Sequence, residues 1–273
     1  MRVLIGCECS GVVREAFRKL GHDAWSCDLL PAADGSRHHF QGDLLSILGE
    51  RAPWDMLIAH PPCDWLATCA AWAFKEPDFE KYPKSGYHQK PKAGTLMGRD
   101  RREAQEDALR FFAAVMNADI DHICVENPVG VVPRRLHRPL LSSKWLVSML
   151  PGRKTCPATQ VIQPYEFGDD ASKSTCLWLK GLRPLKRTNY IRPRMVCGCG
   201  HTFRSETDDP YGCPNCKGKK TALPRWANQT DSGQNRLAPS EDRASVRAVT
   251  YQGIANAMAA QWGAPPTATE PKL

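Results

Sequence analysis

Two short motifs hold side chains that could act together on one substrate. Pro61-Pro62-Cys63 presents a thiol after a rigid bend, and Glu126-Asn127-Pro128 presents a carboxyl group beside an amide. A thiolate is a nucleophile and a shielded carboxylic acid is a proton donor. Together they suit an addition that builds negative charge on its acceptor. Taken singly, Pro-Pro-Cys is an ordinary loop with a buried thiol and Glu-Asn-Pro an ordinary turn. Their weight comes from position, because each directly follows an apolar run that reads as a strand.

A second chemistry lies further along the chain. Cys197-Gly-Cys199 and Cys213-Pro-Asn-Cys216 form two knuckles with 13 residues between them. Four thiolates in this pattern are the ligands of a zinc ribbon, so Zn2+ is expected on Cys197, Cys199, Cys213 and Cys216. His201 is the alternative to Cys197 or Cys199. The segment has few hydrophobic residues, so the metal is expected to supply its folding energy. Around it lie Arg183, Lys186, Arg187, Arg192, Arg194, Lys219 and Lys220, with Tyr190, Tyr211 and Trp226 among them. Basic groups contact phosphates and aromatics stack on bases, which points to nucleic acid. A solvated basic surface is the plainer alternative.

The elements that must position these groups follow from hydrophobic period and turn residues. Strands are expected at 2–7, 23–27, 54–59, 122–126, 160–166 and 174–180. Helices are expected at 12–20, 44–48, 101–117, 140–150 and 249–262, with a long loop over 64–100. Alternation of this kind implies an α/β fold with a mostly parallel sheet covered on both faces. Ligand chemistry in such sheets sits at the carboxyl ends of the strands, where Glu8–Gly11, Asp28, Pro61–Cys63 and Glu126-Asn127 all fall.

In this order the motifs resemble those of the DNA cytosine-5 methyltransferases, small phage-type members above all. That family carries Pro-Cys after its fourth strand and Glu-Asn after its fifth. The resemblance spans about residues 1–182 and 246–262, with Gly42-Asp43 and Tyr251–Asn256 as further matches. It implies a Rossmann-like S-adenosylmethionine-dependent methyltransferase fold with a small zinc-ribbon insert. The implied boundaries are a catalytic domain at 1–182, a target-recognition region at 183–245, a returning helix at 246–263 and a flexible tail at 264–273. Cys63 would attack carbon 6 of a flipped cytosine in double-stranded DNA, and Glu126 would protonate or hydrogen-bond ring nitrogen 3. Asn127 and Lys173 complete the implied catalytic set. The cofactor would lie on Cys7, Glu8, Cys9, Ser10, Gly11, Asp28, Leu29, Asp43 and Pro61. Within that set Asp28 would hold the ribose hydroxyls, Asp43 the adenine amino group, and the amides of 9–11 the methionine carboxylate. This chemistry calls for a raised pKa at Glu126 and a lowered one at Cys63.

The chain also departs from the family. Of the three glycines in its first loop only Gly11 is kept. The family's Gln-x-Arg-x-Arg falls on Ala171, Lys173 and Thr175, and Asp64 follows the nucleophile. These departures motivate a second reading, a catalytically degenerate zinc-ribbon DNA-binding protein, and a third, related chemistry on another acceptor or donor. An amino-methyltransferase is disfavoured, since those enzymes place Asp, Asn or Ser before Pro-Pro and an aromatic after it.

Bulk properties agree with a polyanionic partner. The 273 residues carry a formal net charge of +8. Mean hydropathy is −0.45, and no membrane association is expected. Residues 2–7 are too short an apolar run for a signal peptide, so the 12 cysteines are expected as thiols or ligands in a cytoplasmic setting.

Overall fold

The computed structural model describes residues 1–50, 53–76, 94–136, 156–204, 212–218, 221–238, 240 and 243–264. The chain runs through β1 (Arg2–Gly6), α1 (Val12–Lys19), β2 (Asp23–Asp28), β3 (His39–Gln41), α2 (Leu44–Glu50), β4 (Met56–Ala59), a 3-10 segment (Thr68–Phe74), α3 (Gly98–Met116), β5 (His122–Pro128) and α4 (Val132–Arg135). It continues through β6 (Gln160–Ile162), a 3-10 turn (Pro164–Glu166), β7 (Thr175–Lys180), β8 (Arg194–Cys197), β9 (Thr202–Arg204), β10 (Ala222–Arg225), α5 (Arg243–Ala248) and α6 (Gln252–Trp262).

Seven strands form one sheet in the order β3-β2-β1-β4-β5-β7-β6. Five are parallel, and β7 runs against both neighbours. The architecture is mixed α/β with a mostly parallel central sheet, as the sequence predicts. Its strands are apolar on both sides, as double coverage requires. Leu4, Leu57, Ala59, Ile123, Val125 and Trp178 face a core shared with Leu44 of α2 and Leu109, Phe112 and Met116 of α3. Val3, Ile5, Met56, Ile58, Cys124 and Leu177 face the opposite core, with Val13 and Phe17 of α1 and Ile254, Met258 and Trp262 of α6. The alternation along each strand is the period of two expected of a pleated backbone. Gly6 ends β1 because a Cβ there would lie 2.5 Å from a methyl of Leu44.

Several elements differ from those the sequence predicts. The expected strand at 160–166 stops at Ile162, because Pro164 has no N–H to donate and Gln163 and Glu166 cap a 3-10 turn instead. The described residues of the expected loop at 64–100 include a 3-10 segment at Thr68–Phe74 and the start of α3. The Arg101 guanidinium of α3 lies over the rings of Trp65 and Phe74, at 5.0 and 4.9 Å, and donates to the Asp64 carbonyl at 2.9 Å. Gln105 donates to the Trp65 carbonyl at 2.7 Å. Polar anchors of this sort leave no hydrophobic period to read. The expected helix at 140–150, Lys219, Lys220, Tyr211 and most of the expected tail lie outside the described residues. No described helix is long and apolar enough to cross a membrane.

A separate three-stranded antiparallel sheet, in the order β10-β8-β9, carries the cysteine knuckles. Its small core is Met195, Cys197, Cys213 and Ala222, with Cys199, Phe203 and Cys216 packed against it.

Candidate active site

Strand order reverses between β1 and β4, since β2 and β3 lie to one side of β1 and β5 and β7 beyond β4. In sheets of this kind ligands bind beyond the carboxyl ends of the strands at such a switch point. The register Ala59↔Val125 brings the residues after β4 alongside the end of β5. There the imidazole of His60 meets the carboxylate of Glu126, Nδ1 to Oε2, at 3.0 Å. Asn127 is buried and donates from Nδ2 to the Pro61 carbonyl at 2.8 Å. Two polar ties therefore join the Pro-Pro-Cys bend to the Glu-Asn pair. Cys63 begins the next turn, its carbonyl accepting from Leu66 at 3.0 Å and Ala67 at 2.8 Å.

The electrostatics of the free protein run opposite to the expectation for both groups. Burial, then the negative charges of Asp64 and Glu126, push the Cys63 thiol above its ordinary value, and Lys173 only partly offsets them. Burial also raises Glu126, but the His60 hydrogen bond and charge, with the charge of Lys173, outweigh it and hold the carboxyl below its usual range. The structure thus stores Glu126 as a carboxylate and Cys63 as a thiol. Both Cys63 and Glu126 feel the charge of Lys173, so three of the four expected catalytic residues share one electrostatic neighbourhood. The Lys173 ammonium donates to the Arg247 carbonyl at 2.8 Å, and its amide to Gln163 Oε1 at 3.0 Å.

The expected cofactor residues gather at the ends of β1 and β2. Cys7 holds a left-handed backbone at φ 56°, and its thiol is pushed up to about 12 by burial first, then by Asp28, Cys27 and Asp43. Cys9 is raised by burial and by Asp28. Asp28 Oδ1 accepts from the Leu30 amide at 2.9 Å; its Oδ2 has no hydrogen-bond partner among the described residues. Beside it Leu29 is 73% exposed. Asp43 caps α2, accepting the Ser46 amide at 2.9 Å and the Ser46 hydroxyl at 3.1 Å. The first loop departs from expectation. Buried Glu8 turns its own carboxylate onto the start of α1, accepting from Val13 at 2.8 Å, Arg14 at 3.3 Å and the Ser10 hydroxyl at 3.3 Å. An internal anion therefore caps the first turn of α1 at Val13 and Arg14, just past the 9–11 amides expected to meet a cofactor carboxylate. Gly11 precedes α1 at φ 76°, a conformation that suits glycine.

In the ribbon the ligand atoms of Cys197, Cys199, Cys213 and Cys216 all lie within 4.8 Å of one another. The Cys197–Cys216 and Cys199–Cys213 sulfurs are 3.6 and 3.7 Å apart. A tetrahedral zinc with Zn–S bonds of about 2.3 Å has edges of about 3.8 Å. The donor set therefore fits Zn2+. His201 is outside this group; its ring stacks on Phe203 at 5.9 Å.

Comparison with known proteins adds little. No family model and no curated protein matches the chain. Among solved structures, one similar chain is an E. coli prophage-encoded protein described provisionally as a DNA modification methyltransferase. The identity is 11% and the TM-score 0.36, with 66% of this chain and 46% of that one covered. Likeness at that level fixes neither activity nor substrate.

The basic residues expected at DNA are only partly available to it. Arg187 pairs with Glu166 at 2.7 Å, Arg194 with Asp231 at 2.5 Å and Arg204 with Asp170 at 3.4 Å. Trp262 Nε1 donates to the Arg183 carbonyl and the Lys186 amide to Gln261, which holds this stretch against α6. Arg192 is exposed. Trp226 stacks on Tyr165 at 4.3 Å, and Tyr190 meets the same ring edge-on at 5.7 Å, so both serve packing here. Two site residues escape the sequence reading. His60 has no motif of its own, although it immediately precedes Pro61. Arg14 is fully buried in α1, where it donates to Ser26 at 2.7 Å and pairs with Glu15 and Asp34. Nothing in the apolar spacing of α1 marks it.

Proposed function

We propose that this chain is an S-adenosylmethionine-dependent DNA cytosine-5 methyltransferase. One observation carries the reading: two hydrogen bonds join Pro-Pro-Cys to Glu-Asn at the switch point of the sheet, with the Cys63 thiol near enough to Glu126 and Lys173 to feel both charges. When bound, the cofactor supplies an electrophilic methyl group on a positively charged sulfur. Asp28, with an oxygen to spare, and the exposed Leu29 would hold its ribose and adenine. Once the Cys63 thiol has given its proton to a base or to solvent, the thiolate forms a bond to carbon 6. The 5,6 pair moves between carbons 4 and 5, the 3,4 pair moves onto nitrogen 3, and Glu126, in its protonated form, delivers a proton there. Carbon 5 is then nucleophilic and takes the methyl group. Loss of the carbon 5 proton to a base and cleavage of the carbon–sulfur bond restore the thiolate. Reaching carbon 6 requires the base to leave the stack, and the exposed basic residues around the ribbon would grip the duplex as it does.

The test is methyl transfer from labelled cofactor to double-stranded DNA. Wild-type protein should label cytosine and form a covalent adduct with 5-fluorocytosine DNA, because fluorine cannot depart as a proton. Cys63→Ser should lower transfer by at least about a thousandfold and abolish the adduct. Absence of both from the wild type, with cofactor and DNA saturating, overturns the reading. The placement of Glu8 favours one rival, a DNA-binding protein that takes no cofactor. DNA binding without cofactor heat in calorimetry would establish that rival.

A further inference from the structure

The family that the chain resembles braces its acid with two arginines, and here those positions hold Lys173 and Thr175. A different group stands against Glu126. His60 Nδ1 lies 3.0 Å from Glu126 Oε2, with side-chain exposures of 10% and 13%. His60 Nε2 is buried and has no hydrogen-bond partner among the described residues. Geometry allows one arrangement with the carboxylate ionised: Nδ1–H donates, and Nε2 carries a lone pair or a second proton. Oε1 of Glu126 is left for a ligand.

We propose that His60 is a positioning residue that shares one proton with Glu126, so that the pair, rather than the carboxyl group alone, is the acid of the proposed reaction. The proposal rests on the methyltransferase reading for its chemistry, but the pairing itself is a property of the free protein. In the free protein the shared proton lies in the 3.0 Å contact between Nδ1 and Oε2, with Glu126 held as the carboxylate. When a base arrives, the proton belongs on Glu126, and Nδ1–H of the neutral imidazole fixes Oε2 and turns Oε1 toward nitrogen 3. After transfer the same hydrogen bond stabilises the carboxylate that forms. When the thiolate leaves, nitrogen 3 returns its proton to the pair, so none is gained or lost over the cycle. A fixed arginine can stabilise the carboxylate but cannot hold the proton. The other groups near the pair are Cys63 after β4, Lys173 before β7, Cys124 on β5 and Cys176 on β7. The three thiols are all raised, chiefly by burial.

Two measurements decide it. In the free protein, NMR titration of the His60 ring should show a proton affinity at least tenfold higher in wild type than in Glu126→Gln. Equal affinities overturn the proposal whether or not the protein methylates DNA. In single-turnover methyl transfer, the wild-type rate should fall as pH rises through the titration of the pair. His60→Asn places an amide donor near the position of Nδ1 but cannot hold the proton. It should bind DNA and cofactor unchanged and move the descending limb at least one unit down. A limb that stays or moves up overturns the role of His60 and leaves the methyltransferase reading standing. NMR coupling in a protein that transfers no methyl group would do the reverse: the pair stands and the reading falls.

Discussion

The thiol proposed as nucleophile is held in reserve. A nucleophile raised by burial and by two acidic neighbours is mostly protonated at neutral pH, which protects it from oxidation and stray alkylation. The sign of each contribution gives a prediction. Alkylation of Cys63 by iodoacetamide, read by peptide mass spectrometry on the free protein, should reach half its maximal rate above the ordinary thiol value of about 8.5. The charge of Lys173 lowers this thiol, so Lys173→Met should move the midpoint further up. Asp64→Asn should move it down, since it removes a negative charge. A midpoint below 8 in the wild type would contradict the resting state described above. Arg14 shows the same economy of charge in a structural role. It is buried, and its guanidinium finds Ser26, Glu15 and Asp34 in place of water, so the loop after β2 is anchored to α1 beside Asp28.

Among the elements, loops do the joining that strands cannot. Leu66 and Ala67 follow the nucleophile; Gly130 and Val131 follow the Glu-Asn pair. Ala67 bridges Gly130, and the Val131 amide donates to the Leu66 carbonyl at 2.8 Å. A Cβ on Gly130 would lie 2.1 Å from the Leu66 carbonyl oxygen, a backbone atom that cannot rotate away. Gly130→Ala should therefore force the two loops apart. The expected cost is about 1–3 kcal/mol in denaturant unfolding, with methyl transfer lowered at least tenfold and the zinc content unchanged. A variant as active and as stable as wild type would show that this approach is unimportant. The same level separates what the sequence told from what it hid. Strands β1, β4, β5 and β7 were legible because each contains a short apolar run, β2 because Ala24, Trp25 and Cys27 stand between two aspartates, and Cys63 and Glu126 were legible because they fall at or just after the ends of two of those strands. β3 was not, since His39-Phe40-Gln41 is three residues with half-buried side chains and no period. His60, Arg14 and the capping role of Glu8 were hidden for another reason: each depends on a partner distant in the chain or on the turn around it. Pairing of that kind leaves no mark on local spacing.

At the scale of the whole molecule, the ribbon and the catalytic sheet meet in the segment after β10. Asn228 makes two hydrogen bonds with the backbone of Ser172, accepting at 3.0 Å and donating at 2.9 Å. The Ala227 amide reaches the Asp170 side chain at 3.0 Å. Ser172 precedes Lys173, and Asp169 accepts from Gly253 at the start of α6 at 2.9 Å. The stretch 169–173 is thus held from the ribbon side and from α6. The ribbon's own core is a handful of side chains, four of them cysteines, too little apolar surface to fold without a metal. The seven-stranded sheet has two full cores and no such need. Chelation should therefore unfold one part and spare the other. Treatment with a strong chelator should release one zinc per chain. It should also change the near-ultraviolet dichroism of the stacked Tyr165–Trp226 pair, while most of the far-ultraviolet signal from helices and sheet remains. Methyl transfer should fall, because Lys173 loses part of its support, and it should return when zinc is restored. Loss of the whole fold in one step on chelation would mean that the two parts are a single cooperative unit, and purified protein lacking zinc yet fully folded would mean that the four thiols hold no metal.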